Sequence, residues 1–216
     1  MPQHEAIAHW GSVNSLPANW NGAIAYLDRD GVINKGIPNY VKSLDELDIF
    51  EGALESIERL VDEGYVVCVV TNQSQVSRGY MSKTDLDIIH SKLLEISKIR
   101  LILTCIHHPN QGCNCRKPSP GMLRLGDDLI RGSKQSFEDL IQSYVVNDEL
   151  SRVNWWSDVK PKSTNSLDVM VGDRKSDLGA GWAFGTRLFK TNNRIGIVEV
   201  VEDIITGKDG IEFNPV

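Results

Sequence analysis

The stretch Tyr65-Val66-Val67-Cys68-Val69-Val70-Thr71-Asn72-Gln73-Ser74 decides the fold of this chain. Its first six residues carry no polar face, so the run reads as a β-strand covered on both sides. Polarity then returns within one residue, at Thr71, which places a cluster of hydrogen-bonding side chains at the end of that strand. Working outward, apolar runs recur at 23–27, 99–104, 167–171 and 186–189. Helical patterns lie between them. Leu54, Ile57, Leu60 and Val61 share one face within 52–63, and Leu86, Ile89, Leu93 and Ile96 share one within 83–97. Strands alternating with helices predict an α/β fold, a Rossmann-like parallel sheet flanked by helices with right-handed crossovers. Ligands of such sheets sit beyond the carboxyl ends of the strands.

Composition narrows the classes. A chain of 216 residues can bury one core, and residues 23–216 read as one domain. With net charge -6, a nucleic-acid backbone is not an expected partner. No apolar run approaches the roughly 20 residues of a membrane helix. The start, Met1-Pro2-Gln3-His4-Glu5, lacks the basic and apolar regions of a signal peptide, so the expected location is the cytoplasm.

Four motifs fall at strand ends: Leu27-Asp28-Arg29-Asp30-Gly31, Thr71-Asn72-Gln73-Ser74, Arg116-Lys117-Pro118 and Gly172-Asp173-Arg174-Lys175-Ser176-Asp177. Each alone has a bland reading, as a turn, a helix cap or a solvated surface charge. Together they supply what phosphoryl transfer to a carboxylate requires. Asp28 can attack phosphorus. Asp30 can protonate the leaving oxygen and later take a proton from water. Thr71 offers a hydroxyl to a phosphate oxygen, and Lys117 offsets its charge. Asp173 suits magnesium, with Asp28 and Asp30 as further candidate ligands and Asp177 in support. Asn72, Arg78 and Arg116 are the candidates for holding the substrate.

Three of the four cysteines lie between 105 and 115, in Cys105-x-His107-x₅-Cys113-x-Cys115. Three thiolates and an imidazole make a closed structural zinc site. His108 is the alternative imidazole, and free thiols are the bland reading. Cys68, inside the valine run, reads as core packing.

In combination the four motifs resemble the haloacid dehalogenase superfamily of phosphatases, over residues 23 to 190. The resemblance implies Asp28 as nucleophile, Asp30 as acid/base, Thr71 and Lys117 on the phosphoryl group, and Asp28 with Asp173 on magnesium. Asp-Arg-Asp-Gly-Val-Ile-Asn, Thr-Asn-Gln-Ser and the Cys-x-His…Cys-x-Cys-Arg-Lys-Pro segment look like one branch of it. That branch is the D-glycero-D-manno-heptose 1,7-bisphosphate 7-phosphatase and histidinol-phosphatase group. It implies no large cap domain, zinc on Cys105, His107, Cys113 and Cys115, and Arg78 on the substrate side. Gln75 departs from the pattern, where glycine is usual, and the loop from His107 to Cys113 is short, as in the histidinol phosphatases. The basic residues near the expected mouth, Arg78 and Arg116 among them, favour a sugar bisphosphate. Histidinol phosphate, another small phosphate ester, and a zinc-bearing binding protein without turnover are the alternatives.

Two segments stand outside the alternation, an N-terminal extension at 1–22 and an insertion at about 131–166 with a helical pattern near 137–145. They carry Trp10, Trp20, Trp155 and Trp156. Both are expected at the sheet edge remote from the motifs, packed together or forming a self-association surface.

Overall fold

The computed structural model describes residues 7–10, 16–38, 40–111, 113–132 and 159–214. A six-stranded sheet has the spatial order β1-β4-β3-β2-β5-β6. Its strands are β1 (Ile7–Trp10), β2 (Ile24–Leu27), β3 (Val66–Asn72), β4 (Leu101–Cys105), β5 (Val169–Gly172) and β6 (Arg187–Lys190). The helices are α1 (Ala53–Asp62), α2 (Lys83–Ile96), α3 (Gly121–Arg131), α4 (Lys175–Phe184) and α5 (Val201–Ile205). Strands β2 to β6 are parallel, and every run read as a strand in the sequence is one.

The valine run sits in the middle of the sheet and is buried along its whole apolar length. Its alternate side chains feed two cores. Val67 and Val69 join Ile57, Leu60, Leu86 and Leu93 on the α1–α2 face. Val66, Cys68 and Val70 join Leu103, Met122 and Leu125 on the α3–α4 face. Each buried aliphatic side chain is worth about 1.5–3 kcal/mol. Helix α2 starts at a capping box, in which Ser82 Oγ accepts from the Asp85 amide at 3.0 Å and the Asp85 carboxylate accepts from the Ser82 amide at 3.3 Å.

The N-terminal stretch differs from expectation. Residues 7–10 form an edge strand, antiparallel to β4, with Ile7 opposite Thr104 and Trp10 opposite Leu101. Four residues are too few to show an alternating pattern, and the pairing is supplied by the open edge of β4. Strand β1 therefore runs down from the level of the motifs, whereas all of 1–22 is expected at the remote edge. Residues 19–21 do lie there, with the Asn21 amide bonded to the Gly64 carbonyl at 3.0 Å. Trp20 donates to the Ala23 carbonyl at 2.9 Å and packs against the second core. The helix read at 137–145, and Trp155 and Trp156, lie outside the described residues.

Candidate active site

Asp28 follows β2 directly and is buried, its amide held by the Val171 carbonyl at 2.9 Å. The chain then turns sharply. Gly31 has φ of +88°, and a Cβ there would lie 2.7 Å from the Asp173 carboxylate, so only glycine lets the two loops meet. A Cβ on Gly172 would likewise sit 2.1 Å from Asp177 Cβ. The two strand ends are thereby pressed together with their carboxylates facing one recess. Asp28, Asp30, Tyr40, Thr71, Lys117 and Arg174 are among the residues lining it.

Lys117 is only 3% exposed. Its Nζ lies 2.8 Å from Asp28 Oδ1 and 2.7 Å from Asp177 Oδ1. Burial opposes its charge, but Asp177 and Asp28 outweigh burial and raise its pKa, so the ammonium is kept. Asn72 fixes the Lys117 backbone from both sides, its Oδ1 accepting from the amide at 3.1 Å and its Nδ2 donating to the carbonyl at 3.0 Å. The side chain read as a substrate contact lines the recess and also makes these two bonds within the protein. Burial raises the pKa of Asp28, Lys117 lowers it, and Asp177 and Asp30 add to the rise, with an upward result.

Asp30 sits in a cage of donors. Oδ1 accepts from Arg29 Nε at 3.0 Å and Asn34 Nδ2 at 2.9 Å. Oδ2 accepts from Arg29 Nη2 at 3.0 Å and Gln73 Nε2 at 2.9 Å. Burial would raise its pKa, but the Arg29 charge and the bonds from Asn34 and Gln73 prevail and lower it. Gln73 Nε2 also donates to Thr71 Oγ1 at 2.9 Å, which leaves the Thr71 hydroxyl hydrogen to point elsewhere.

Carboxylate oxygens of Asp28, Asp173 and Asp177 lie within 4.8 Å of one another. Asp173 Oδ1 is buried and has no hydrogen-bond partner. Burial and the neighbouring Asp28 both raise the pKa of Asp173. Crowded carboxylates with an unmatched oxygen fit a hard dication such as magnesium. Of the three side chains expected around it, Asp28 and Asp173 converge, with Asp177 beside them, while the Asp30 carboxylate is turned into its cage.

The second cluster is built from sulfur and nitrogen. Cys105 Sγ lies 3.4 Å from His107 Nδ1 and 3.6 Å from Cys113 Sγ, and His107 Nδ1 lies 3.1 Å from Cys115 Sγ. Zinc bonds of about 2.0–2.3 Å in a tetrahedron demand edges of roughly this size. Hydrogen bonds from Cys105 and Cys115, together with His107, lower the pKa of Cys113 despite its burial. The four residues therefore fit zinc. His107 is the imidazole in the cluster, and His108 Nδ1 instead accepts from the Asn110 amide at 3.2 Å.

Arg78 is exposed and does not line the recess. Arg116 is half-buried beside the zinc cluster, its Nη1 donating to the His107 carbonyl at 3.4 Å. Tyr40 and Ser176 also line the recess; Tyr40 belongs to no motif, and Ser176 stands inside the fourth motif without a role read from the sequence.

A family model described as polynucleotide kinase 3 phosphatase matches residues 24–184, about three quarters of the chain. The D-glycero-beta-D-manno-heptose-1,7-bisphosphate 7-phosphatase of Pseudomonas aeruginosa is 44% identical over 107 residues, 47% of this chain and 60% of that protein. The match thus spans less than two thirds of that relative's length. The D-glycero-alpha-D-manno-heptose-1,7-bisphosphate 7-phosphatase of Mycobacterium bovis is 33% identical over 157 residues, 70% of this chain and 80% of that protein. Among solved structures, the D,D-heptose 1,7-bisphosphate phosphatase of B. bronchiseptica, complexed with magnesium and phosphate, aligns with TM-score 0.58 at 30% identity. It covers 84% of this chain and 86% of that one. A protein from Mesorhizobium loti described as an HAD-like phosphatase aligns with TM-score 0.63 over 99% of both chains, and at 19% identity shows the fold alone. A buried carboxylate at a strand end, a buried lysine between two aspartates and a matching family model over most of the chain agree: the chain belongs to the polynucleotide kinase 3 phosphatase family of haloacid dehalogenase-like proteins.

Proposed function

We propose that this chain is a phosphatase that removes the 7-phosphate of D-glycero-D-manno-heptose 1,7-bisphosphate through an aspartyl-phosphate on Asp28. The observation that carries the chemistry is Lys117, held between Asp28 and Asp177 at the floor of a recess that Thr71 also lines. The heptose enzymes among its relatives support the substrate. Reduced thiols in one metal cluster suit a cytoplasmic enzyme.

In the first half-reaction an Asp28 oxygen bonds to phosphorus as the bond from phosphorus to the sugar oxygen breaks. The leaving oxygen takes a proton from Asp30. In the second half-reaction water attacks phosphorus, Asp30 takes the water proton, and Asp28 leaves as carboxylate. Lys117 and Thr71 hold the phosphoryl oxygens. Asp28 and Asp173, with Asp177 close by, would hold magnesium, which would supply positive charge to offset that of the phosphoryl group. With four donors on its four lone-pair sites, Asp30 is arranged as the base. Protonating it for the first half-reaction requires one donor to withdraw.

A panel of phosphate esters assayed with magnesium tests the reading. The heptose bisphosphate is expected to have the highest kcat/KM. A higher value for histidinol phosphate would overturn the substrate assignment, and no release from any ester would overturn the phosphatase.

A further inference from the structure

Behind Asp30 lies a line of side chains that the reaction does not otherwise use. Arg29 is fully buried, with its guanidinium forked onto Asp30. Its remaining nitrogen, Nη1, lies 3.2 Å from Nε2 of the fully buried His90 on α2. His90 Nδ1 lies 3.3 Å from His9 Nδ1, and His9 Nε2 lies 2.9 Å from Asp87 Oδ1. The two imidazoles meet edge to face, 4.9 Å between centroids at 84°. Asp87 is partly open to solvent, its side chain 44% exposed. An unbroken hydrogen-bonded path thus joins a surface carboxylate to the acid/base.

The chemistry of each group sets the direction of the path. A guanidinium only donates, so His90 Nε2 accepts. Burial, the Arg29 charge and His9 all hold the pKa of His90 well below the imidazole range, so the ring is neutral with its proton on Nδ1. That proton points at His9 Nδ1, which must accept. The His9 hydrogen then sits on Nε2 and points at the Asp87 carboxylate. One assignment satisfies every contact. Reversing one link sets two donors face to face at another.

We propose that His90 and His9 are positioning residues for Asp30, acting through Arg29. The inference rests on the phosphatase reading and deepens it. Arg29 supplies two of the four donors on Asp30, so its placement decides where the Asp30 carboxyl stands relative to the leaving oxygen. His90 fixes that placement by accepting the third guanidinium donor. His9 fixes the His90 ring and comes from β1, the strand that pairs His9 with Ile102 at the sheet edge. His9 of the N-terminal segment is thereby linked to the reaction centre, and among the described residues none of that segment lines the recess.

The test compares two esters that differ in their need for a proton. A 4-nitrophenolate leaves readily without one, whereas phenolate leaves poorly unless protonated. His90→Leu removes both contacts, while the amide of His90→Gln can accept from Arg29 and donate to His9. In His90→Leu the ratio of kcat for 4-nitrophenyl phosphate to that for phenyl phosphate is expected to rise roughly tenfold over wild type. In His90→Gln it should stay within about threefold. His9→Phe, at the half-buried end, should move it the same way by about threefold, and serves if His90→Leu does not fold. Equal losses on both esters, unchanged ratios, or a His90→Gln ratio as high as that of His90→Leu would overturn the relay while leaving the phosphatase standing. No phosphate release by the wild-type protein from either ester would overturn both.

Discussion

The zinc cluster and the aspartate cluster each gather buried ligands within a few ångströms, and they are built to opposite ends. Around Cys105, His107, Cys113 and Cys115 the four ligand atoms lie within 4.8 Å of one another, three of the pairs at 3.1–3.6 Å, a donor set that suits a tetrahedral metal. Such a site holds its metal and offers nothing further. Around Asp28, Asp173 and Asp177 the balance is left open. One ammonium serves two of the carboxylates, while an oxygen of Asp173 is buried without a partner. Closure makes a structural element, and incompleteness makes a site where charge can be added, moved and removed. The two are joined in sequence, because Arg116 and Lys117 follow Cys115 at once. The cluster of ligands therefore adjoins the segment from which the buried Lys117 projects.

The largest effect should come from the open cluster. Asp28→Asn is expected to lower phosphate release by roughly a thousandfold or more, about 4 kcal/mol of barrier, since an amide does not form the acyl phosphate. The circular dichroism spectrum should match wild type. Activity within tenfold of wild type would show that another group is phosphorylated.

Metal removal should separate the two clusters. Brief EDTA treatment is expected to abolish turnover, with full recovery on adding magnesium and little change in Tm. Cys113→Ser should instead lower Tm, because binding at a structural zinc site is folding free energy. A loss of about 2 kcal/mol corresponds to a drop of roughly 4–8 °C for a chain of this size. Elemental analysis that finds no zinc in untreated protein would break the comparison at its base.

What the sequence reveals of this molecule depends on how local the cause is. The valine run, the Asp-x-Asp turn and the cysteine spacing each declare themselves within a few residues, so β3, the place of Asp28 and the zinc cluster were legible. Strand β1 was not, because its existence depends on the open edge of β4 and not on its own pattern. The Arg29–His90–His9 path was not legible either. Its members are far apart in the chain, and only the fold buries Arg29 beside His90. Asn72 shows a subtler gap. Its amide at a strand end suits a substrate and a backbone equally, and only the fold shows that it both lines the recess and bonds the Lys117 peptide.

That clamp allows a finer test. Asn72→Ala removes two hydrogen bonds from the Lys117 backbone and leaves the zinc cluster, Asp28 and Asp177 in place. About 1 kcal/mol for each bond predicts a fall in kcat of roughly 10- to 30-fold with zinc content unchanged. Asn72→Asp, which keeps the acceptor and loses the donor, should fall in between. If Asn72→Ala raised KM and left kcat alone, the amide would be a substrate contact after all.

The smallest effect is expected at Arg116, which lies between Cys115 of the zinc cluster and Lys117 in sequence. Among the described residues its hydrogen bond to the His107 carbonyl is long at 3.4 Å, so neither the zinc site nor the lysine depends much on it. It does not line the recess, so the phosphoryl group being transferred lies beyond its direct contacts. A guanidinium at this distance can still serve a second anionic group on a larger substrate, for which its planar fork is suited. Arg116→Ala is therefore expected to raise KM for a sugar bisphosphate by about threefold, or about 0.7 kcal/mol, and to leave KM for 4-nitrophenyl phosphate unchanged. Equal rises for both would place the arginine on the reacting phosphate. A fall in Tm with neither KM altered would assign it to the closed cluster alone.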